Sequence, residues 1–310
     1  ESMILNTGSR TDIPAFYSNW FYRRVEEEFV LVRNPYSPLQ VTRYRISPEV
    51  VDCLVFCTKN PRPMFDKLDR LKAFHQYWYV TITPYGKEIE PFVPPVSQVI
   101  ESFKWLSGKV GLSSIGWRYD PIFLYGPYTL DFHLKSFQSM AEALKGYTDN
   151  CVISFIDLYQ KTKRNFPGIQ AVSSKDRMTL GQAFAQIGRR YGITIRSCCE
   201  GTELEAFGID CSGCLTQPIL EKAAGGFLTP PRQKAAREGC SCLLGSDIGA
   251  YNTCGHGCLY CYANESMDLV RRNQALHDPK SPYLLGHGFP EDHITHGEQK
   301  SWFDGQLRLF

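Results

Sequence analysis

The sequence predicts an α/β fold: a TIM-like βα barrel, full or partial, with a C-terminal cysteine-rich segment. Three observations carry this. Through the first 200 residues, short runs rich in β-branched and aromatic residues alternate with longer stretches of helical spacing, the pattern of a parallel sheet covered by helices. Six such units in a row favour a barrel over an open sheet. From about Cys211 the alternation stops, and cysteine, glycine and proline crowd together.

The elements follow in order. Strands are predicted over residues 3–7, 51–58, 77–83, 114–119, 151–158 and 193–199. Each is short and largely apolar, as expected of a strand buried on both faces. Helices are predicted over 15–28, with Phe16, Trp20 and Phe21 on one side, and over 64–75, with Leu68 and Leu71. Three more span 96–107, 132–144 and 179–191. Asp12 is placed to cap the first helix, and Pro14 suits its opening turn. Residues 29–46 break the alternation and read as a hairpin around Asn34-Pro35-Tyr36-Ser37-Pro38. The expected organisation is a barrel over 3–200, a cysteine-rich segment over 201–288 and a polar, irregular tail over 289–310.

Composition removes several function classes. The chain has 310 residues, 43% hydrophobic and 21% charged. That is enough apolar content for a full-sized core and too much for disorder. The net charge of +2 creates no global field to attract nucleic acid or an anionic membrane. No apolar run is long enough to span a bilayer, and the first residues lack the basic-then-apolar pattern of a signal peptide. Of 12 cysteines, seven lie between Cys211 and Cys261. A cytoplasmic location is expected, where clustered thiols read first as metal ligands.

In a βα barrel, chemistry sits at the carboxyl ends of the strands. Polar residues recur there: Arg10, Thr11 and Asp12 after the first strand, Lys59 and Asn60 after the second, and Arg118, Tyr119 and Asp120 at the end of the fourth. Asp157 and Tyr159 follow in the fifth, and Cys198, Cys199 and Glu200 close the sixth. Taken singly, Asp12 reads equally as a helix cap and Arg118–Asp120 as a structural ion pair. Taken together they form a ring at one mouth, where Arg10, Lys59 and Arg118 would bind a carboxylate or phosphate.

The strongest local signal is Tyr251-Asn252-Thr253-Cys254-Gly255-His256-Gly257-Cys258-Leu259-Tyr260-Cys261-Tyr262. Cys254, Cys258 and Cys261, spaced x3 then x2, would wrap one corner of a [4Fe–4S] cubane and leave its fourth iron open. Gly255 and Gly257 allow the loop to bend. The competing reading is zinc, which wants four ligands and usually paired Cys-x2-Cys knuckles; His256 would then be a cramped fourth ligand. A second thiol set comprises Cys198, Cys199, Cys211, Cys214, Cys240 and Cys242. Four of these would close a second site, either a [4Fe–4S] cluster or zinc. Cys53, Cys57 and Cys151 read as buried apolar residues.

The triplet resembles the radical S-adenosylmethionine motif, including the aromatic Tyr260 before its last cysteine. The resemblance implies S-adenosylmethionine chelated on the open iron and cleaved by one-electron reduction to a 5′-deoxyadenosyl radical, with a reductant such as ferredoxin or flavodoxin. Two features depart from that superfamily. Its motif normally follows the first strand, whereas here it follows all the βα units. No Gly-Gly-Glu-type segment holds the S-adenosylmethionine amine, and Gly225-Gly226 stands in the wrong context.

The chain as a whole resembles the bacterial domain-of-unknown-function family 1848. The matching runs, in order, are Ser9-Arg10-Thr11-Asp12-Ile13-Pro14-Ala15-Phe16-Tyr17, Leu31-Val32-Arg33-Asn34-Pro35, Val51-Asp52-Cys53-Leu54-Val55-Phe56 and Thr58-Lys59-Asn60-Pro61. They continue with Trp117-Arg118-Tyr119-Asp120-Pro121, Ile153-Ser154-Phe155-Ile156-Asp157-Leu158-Tyr159 and Ser246-Asp247-Ile248-Gly249-Ala250-Tyr251-Asn252-Thr253-Cys254. The resemblance covers residues 3–286. It implies an iron–sulfur motif in the C-terminal cysteines and selects Cys198, Cys214, Cys240 and Cys242 for the second site.

The expected function is therefore an iron–sulfur enzyme with radical S-adenosylmethionine-like chemistry on a small-molecule substrate. Arg10, Asp12, Lys59, Arg118, Asp120, Asp157 and Glu200 would bind substrate or move protons, and Asn60, Tyr119, Asn252 and Tyr260 would contact the cofactor. One alternative is a [4Fe–4S] redox enzyme that does not use S-adenosylmethionine. The other is a zinc-stabilised module binding nucleic acid through Arg232, Lys234 and Arg237, which the small net charge supports little.

Overall fold

The computed structural model describes residues 3–232, 240–243 and 245–304. The chain begins with β1 (Ile4–Asn6), α1 (Ile13–Phe16) and α2 (Ser18–Glu26), then the hairpin β2 (Phe29–Asn34) and β3 (Ser37–Arg45). Next come β4 (Cys53–Thr58), β5 (Gln76–Thr81), α3 (Val96–Val110), β6 (Ile115–Ile122) and α4 (Leu130–Leu144). β7 (Asn150–Phe155), α5 (Gln160–Asn165), α6 (Ser174–Tyr191) and β8 (Thr194–Ser197) complete the βα region. The cysteine-rich part adds α7 (Gln217–Ala224), β9 (Ser246–Asp247) and α8 (Met267–Leu276), and the tail adds β10 (His293–His296).

Seven strands make one sheet in the order β8-β7-β6-β5-β4-β1-β9, and every neighbouring pair is parallel. Apart from the β2–β3 insertion, the βα strands lie side by side in chain order. No ladder joins β8 to β9 among the described residues. Of the full or partial barrel expected, the structure shows an α/β fold with a seven-stranded parallel sheet; closure is not shown, and among the described residues β8 and β9 are the sheet's end strands.

Strand periodicity sorts the side chains into two cores. Leu54, Phe56, Trp78, Val80, Ile115, Trp117 and Ile153 face the helices, and all are buried. Their neighbours Cys53, Val55, Tyr77, Tyr79 and Val152 face the other way, onto Cys198, Cys214, Cys240 and Cys242. The cysteine-rich segment thus covers the sheet face that the helices leave bare. Cys53 and Cys151 are buried, as expected, and Cys57 is half-buried.

Two predicted helices change form. The stretch predicted as one helix over 15–28 is two, because Tyr17 leaves helical geometry (φ −132°), and its hydroxyl donates to Thr253 O at 2.5 Å. The 64–75 stretch is a 3-10 helix over Arg62–Leu71, which still buries Met64, Leu68 and Leu71. Pro63 supplies no N–H to a regular first turn. The tail is more regular than its polarity suggests. β10 pairs with β3, Arg33 grips Asp292, and Trp302 is buried with its N–H on Asp52 at 2.7 Å. No described helix is long and apolar enough to cross a membrane. Lys234 and Arg237 lie outside the described residues; Arg232 is exposed.

Candidate metal and substrate site at the carboxyl edge of the sheet

In parallel sheets the carboxyl ends of the strands point into loops that are free to carry chemistry. Here the loops after β1, β4 and β5 meet the segment that follows β9. Asp12, after β1, ties them together. Its Oδ1 accepts from Ala15 N at 3.1 Å, capping α1, and from Thr58 Oγ1 at 2.6 Å. Its Oδ2 accepts from Lys59 N at 2.9 Å and from His256 Nε2 at 2.7 Å. The carboxylate can only accept from the ring, so the His256 proton sits on Nε2. His256 is buried, and this ring nitrogen is committed to Asp12.

A second polar cluster lies beside it. Lys59 Nζ donates to Tyr260 OH at 2.7 Å and pairs with Glu90 Oε1 at 3.0 Å. Tyr260 OH and Thr83 Oγ1 both donate to the same Glu90 oxygen. Burial pulls the Lys59 ammonium down, but Glu90 and the nearby Cys258 outweigh it, and its pKa is raised. Burial lifts Tyr260 well above the usual phenol range. The lysine is thus held as an ammonium and the phenol as neutral, with the phenol bridging Lys59 and Glu90. Glu90 was missed by sequence reasoning, because it sits in a proline-flanked loop with no motif around it.

The loop bearing Cys254, Cys258 and Cys261 is pinned on several sides. Phe92 N donates to His256 O, Leu259 N to Ile89 O and Asn252 N to Ala263 O. Asn264 Nδ2 donates to Cys254 O at 2.9 Å, and Asn252 Oδ1 accepts Glu265 N at 2.6 Å. Gly257 has φ +72°, and a Cβ there would press Phe92 at 3.0 Å, so the turn requires glycine. Ala263 N donates to Cys261 Sγ at 3.3 Å. Burial pushes the Cys258 thiol up to about 12 and raises Cys254 and Cys261 as well. Three ionised sulfurs in this setting need positive charge against them, which a metal centre supplies.

The other sequence-predicted residues fall into two groups. Around the same edge, Arg118 pairs with Asp120 at 2.7 Å and lies over the Tyr79 ring at 5.4 Å. Arg10 lies over Tyr251 at 5.7 Å. Glu200 accepts from Ser154 Oγ at 2.8 Å and Phe155 N at 2.9 Å; burial raises its pKa despite these donors. Asp157 is exposed, and Asn60 follows β4 with its N–H on Thr58 Oγ1. Tyr119 stands apart: it is fully buried on the helix face with its hydroxyl on His133 Nδ1 at 2.7 Å. Asn252 serves the loop itself, in left-handed geometry at φ +58°.

The second thiol set is compact. The sulfurs of Cys198, Cys240 and Cys242 lie within 4.8 Å of one another, the sole His, Cys, Asp or Glu group this tight among the described residues. Cys242 Sγ is 3.6 Å from Cys198 Sγ and 3.5 Å from Cys214 Sγ. Cys211 turns away to Ser197 Oγ.

Fold and site together define an α/β protein with a thiol-rich face and a group of cysteines able to hold a metal ion. The chain belongs to the family described as Domain of unknown function (DUF1848), which matches residues 4–263. No curated protein and no solved structure matches it.

Proposed function

We propose that the protein is an iron–sulfur enzyme in which Cys254, Cys258 and Cys261 hold an open-site [4Fe–4S] cluster that binds S-adenosylmethionine, acting on a small molecule at the mouth of a partial βα barrel. One observation carries this reading. The cysteine loop follows β9, and β9 is an edge strand paired with β1. Sequence places the motif last, but space places it beside the first strand of a consecutively ordered parallel sheet. Of the two departures from the radical S-adenosylmethionine arrangement, the late position of the motif would then be one of chain order, and the missing Gly-Gly-Glu-type segment remains. A cubane needs each thiolate on a different iron, which the x3-then-x2 spacing of these three cysteines allows.

Such a cluster, when bound, supplies one-electron reduction of the sulfonium. The chain's own residues do the rest. Arg10 and Arg118 would hold an anionic group of substrate or cofactor. Lys59, Glu90 and Tyr260, joined by hydrogen bonds next to Cys258, would hold and move a proton. Asp120, Asp157 and Glu200 surround the same edge. A ferredoxin- or flavodoxin-class reductant in the cytoplasm would supply the electron.

One observation favours a second reading, a redox enzyme without S-adenosylmethionine. Asp12, which follows β1 and meets the cysteine loop through His256, already accepts four donors and is not free to take an amine. Electron paramagnetic resonance on anaerobically purified, dithionite-reduced protein separates the two. A [4Fe–4S] signal that shifts on adding S-adenosylmethionine is expected, and Cys254→Ala, Cys258→Ala and Cys261→Ala should each abolish it. A signal indifferent to S-adenosylmethionine selects the second reading. Full iron content and an unchanged spectrum in all three variants would sink both.

A further inference from the structure

We propose that Cys198, Cys214, Cys240 and Cys242 hold a single zinc ion in a tetrahedral four-thiolate site, and that this ion fastens the two open edges of the sheet. The proposal does not rest on the reading of the other three cysteines.

Sulfur spacing decides the nuclearity. Four thiolates around one zinc, at Zn–S distances of about 2.3 Å, place their sulfurs about 3.8 Å apart. The observed separations about Cys242 are 3.6 Å to Cys198 and 3.5 Å to Cys214; Cys198, Cys240 and Cys242 form a trio within 4.8 Å, and Cys214, outside that trio, joins it through Cys242. A cubane spreads its thiolates over four separate irons and cannot accept sulfurs this close. Nor are these disulfides, since all four are free.

Two backbone N–H groups converge on the Cys242 sulfur, an arrangement that suits a metal-bound thiolate. Cys214 N and Leu215 N both donate to Cys242 Sγ, at 3.2 and 3.5 Å. Gly213 lets the chain come this near: it has φ +128°, and a Cβ there would stand 2.8 Å from Cys242 Sγ. Thiols that merely fill a core call for neither feature. All four sulfurs belong to buried residues, so the site is closed to a fifth ligand, which suits structural zinc.

The ligands come from places that need joining. Cys198 directly follows β8, and Cys240 and Cys242 lead into β9. The gap between is bridged by irregular chain: Ser197 N donates to Asp210 O, Asp210 N to Ile195 O, and Leu243 N to Leu215 O. Tyr79, from the centre of the sheet, donates its hydroxyl to Cys214 O. One ion bound here closes by coordination what no ladder closes by hydrogen bonds. It also keeps these sulfurs out of electron transfer, since zinc has no redox chemistry.

Metal analysis and zinc-edge X-ray absorption on the full chain, purified anaerobically, test this. About one zinc per chain with four sulfurs near 2.3 Å is expected in the unaltered protein. The same is expected in the triple variant C254A/C258A/C261A, whether or not that variant has lost iron. The double variant C240S/C242S should fall below a tenth of that zinc. Should it fail to fold, the first two measurements still decide. Absence of zinc from the unaltered protein would overturn the proposal, as would about four irons per chain persisting in the triple variant, or zinc bound through nitrogen or oxygen.

Discussion

Asp12 serves as helix cap and loop anchor at once. A carboxylate has room for about four hydrogen bonds, and Asp12 receives four, from α1, from Thr58 at the end of β4, from Lys59 just after it and from His256. His133 is the opposite kind of residue, a titratable group placed where charge is unwelcome. It is fully buried between Tyr119 OH and Phe123 O, and burial lowers its pKa below the ordinary 6.5, with the Phe123 carbonyl opposing. Between the two values the unfolded chain binds a proton that the folded chain does not. Stability from this residue is therefore present above pH 6.5 and falls as pH drops through it, by at most about 1.4 kcal/mol per pH unit for one proton. Denaturant titrations at pH 7.5 and 5.5 should show a larger acid loss in the unaltered protein than in His133→Gln; equal losses would refute the assignment. Residues of this scale were unevenly legible. Asp12 was readable as a cap from its place before Pro14, and Tyr260 from its place in the cysteine motif. Glu90 was not, because its meaning comes from partners 31 and 170 positions away.

Among the elements, β9 matters out of proportion to its length. It is two residues long, too short for any periodicity to register, so the sequence offered no sign of it. Yet it sets where the cysteine loop begins. Gly245, just before it, packs so closely on β1 that a Cβ would overlap the Ile4 carbonyl. Gly245→Ala should cost about 1–3 kcal/mol by overpacking and, if Cys254, Cys258 and Cys261 hold the proposed cluster, lower its iron content by parting β9 from β1. Thermal unfolding and iron content check the two effects, and normal values of both would mean that β9 does not position the loop. The six strands of the βα region were legible because each is an apolar run between polar ends. The split at Tyr17 was not, since it depends on a carbonyl 236 positions away.

For the whole molecule, the consequence is that stability should be distributed unevenly across the sheet. β4, β5 and β6 each have a parallel neighbour on both sides and bury large side chains such as Phe56, Trp78 and Trp117. β8 and β9 have a ladder on one side only. Beyond β8 lies irregular chain, with Asp210 bonded to Ile195 and Ser197 and Leu243 N donating to Leu215 O, in the segments that carry Cys214, Cys240 and Cys242. Strand order from β1 onward was legible, because successive βα units lie side by side. The open side was not, since the cysteines brought together there come from positions spread over 45 residues of sequence. If zinc is the fastener, removing it loosens the edges before the centre, because local opening follows local contact density. Hydrogen exchange with and without a zinc chelator should show faster exchange in peptides covering 194–199 and 240–248, with 53–58 and 76–81 unchanged. Uniform acceleration would instead make the metal a condition of the whole fold, and no change at either edge would mean that the thiol face is held by apolar packing alone.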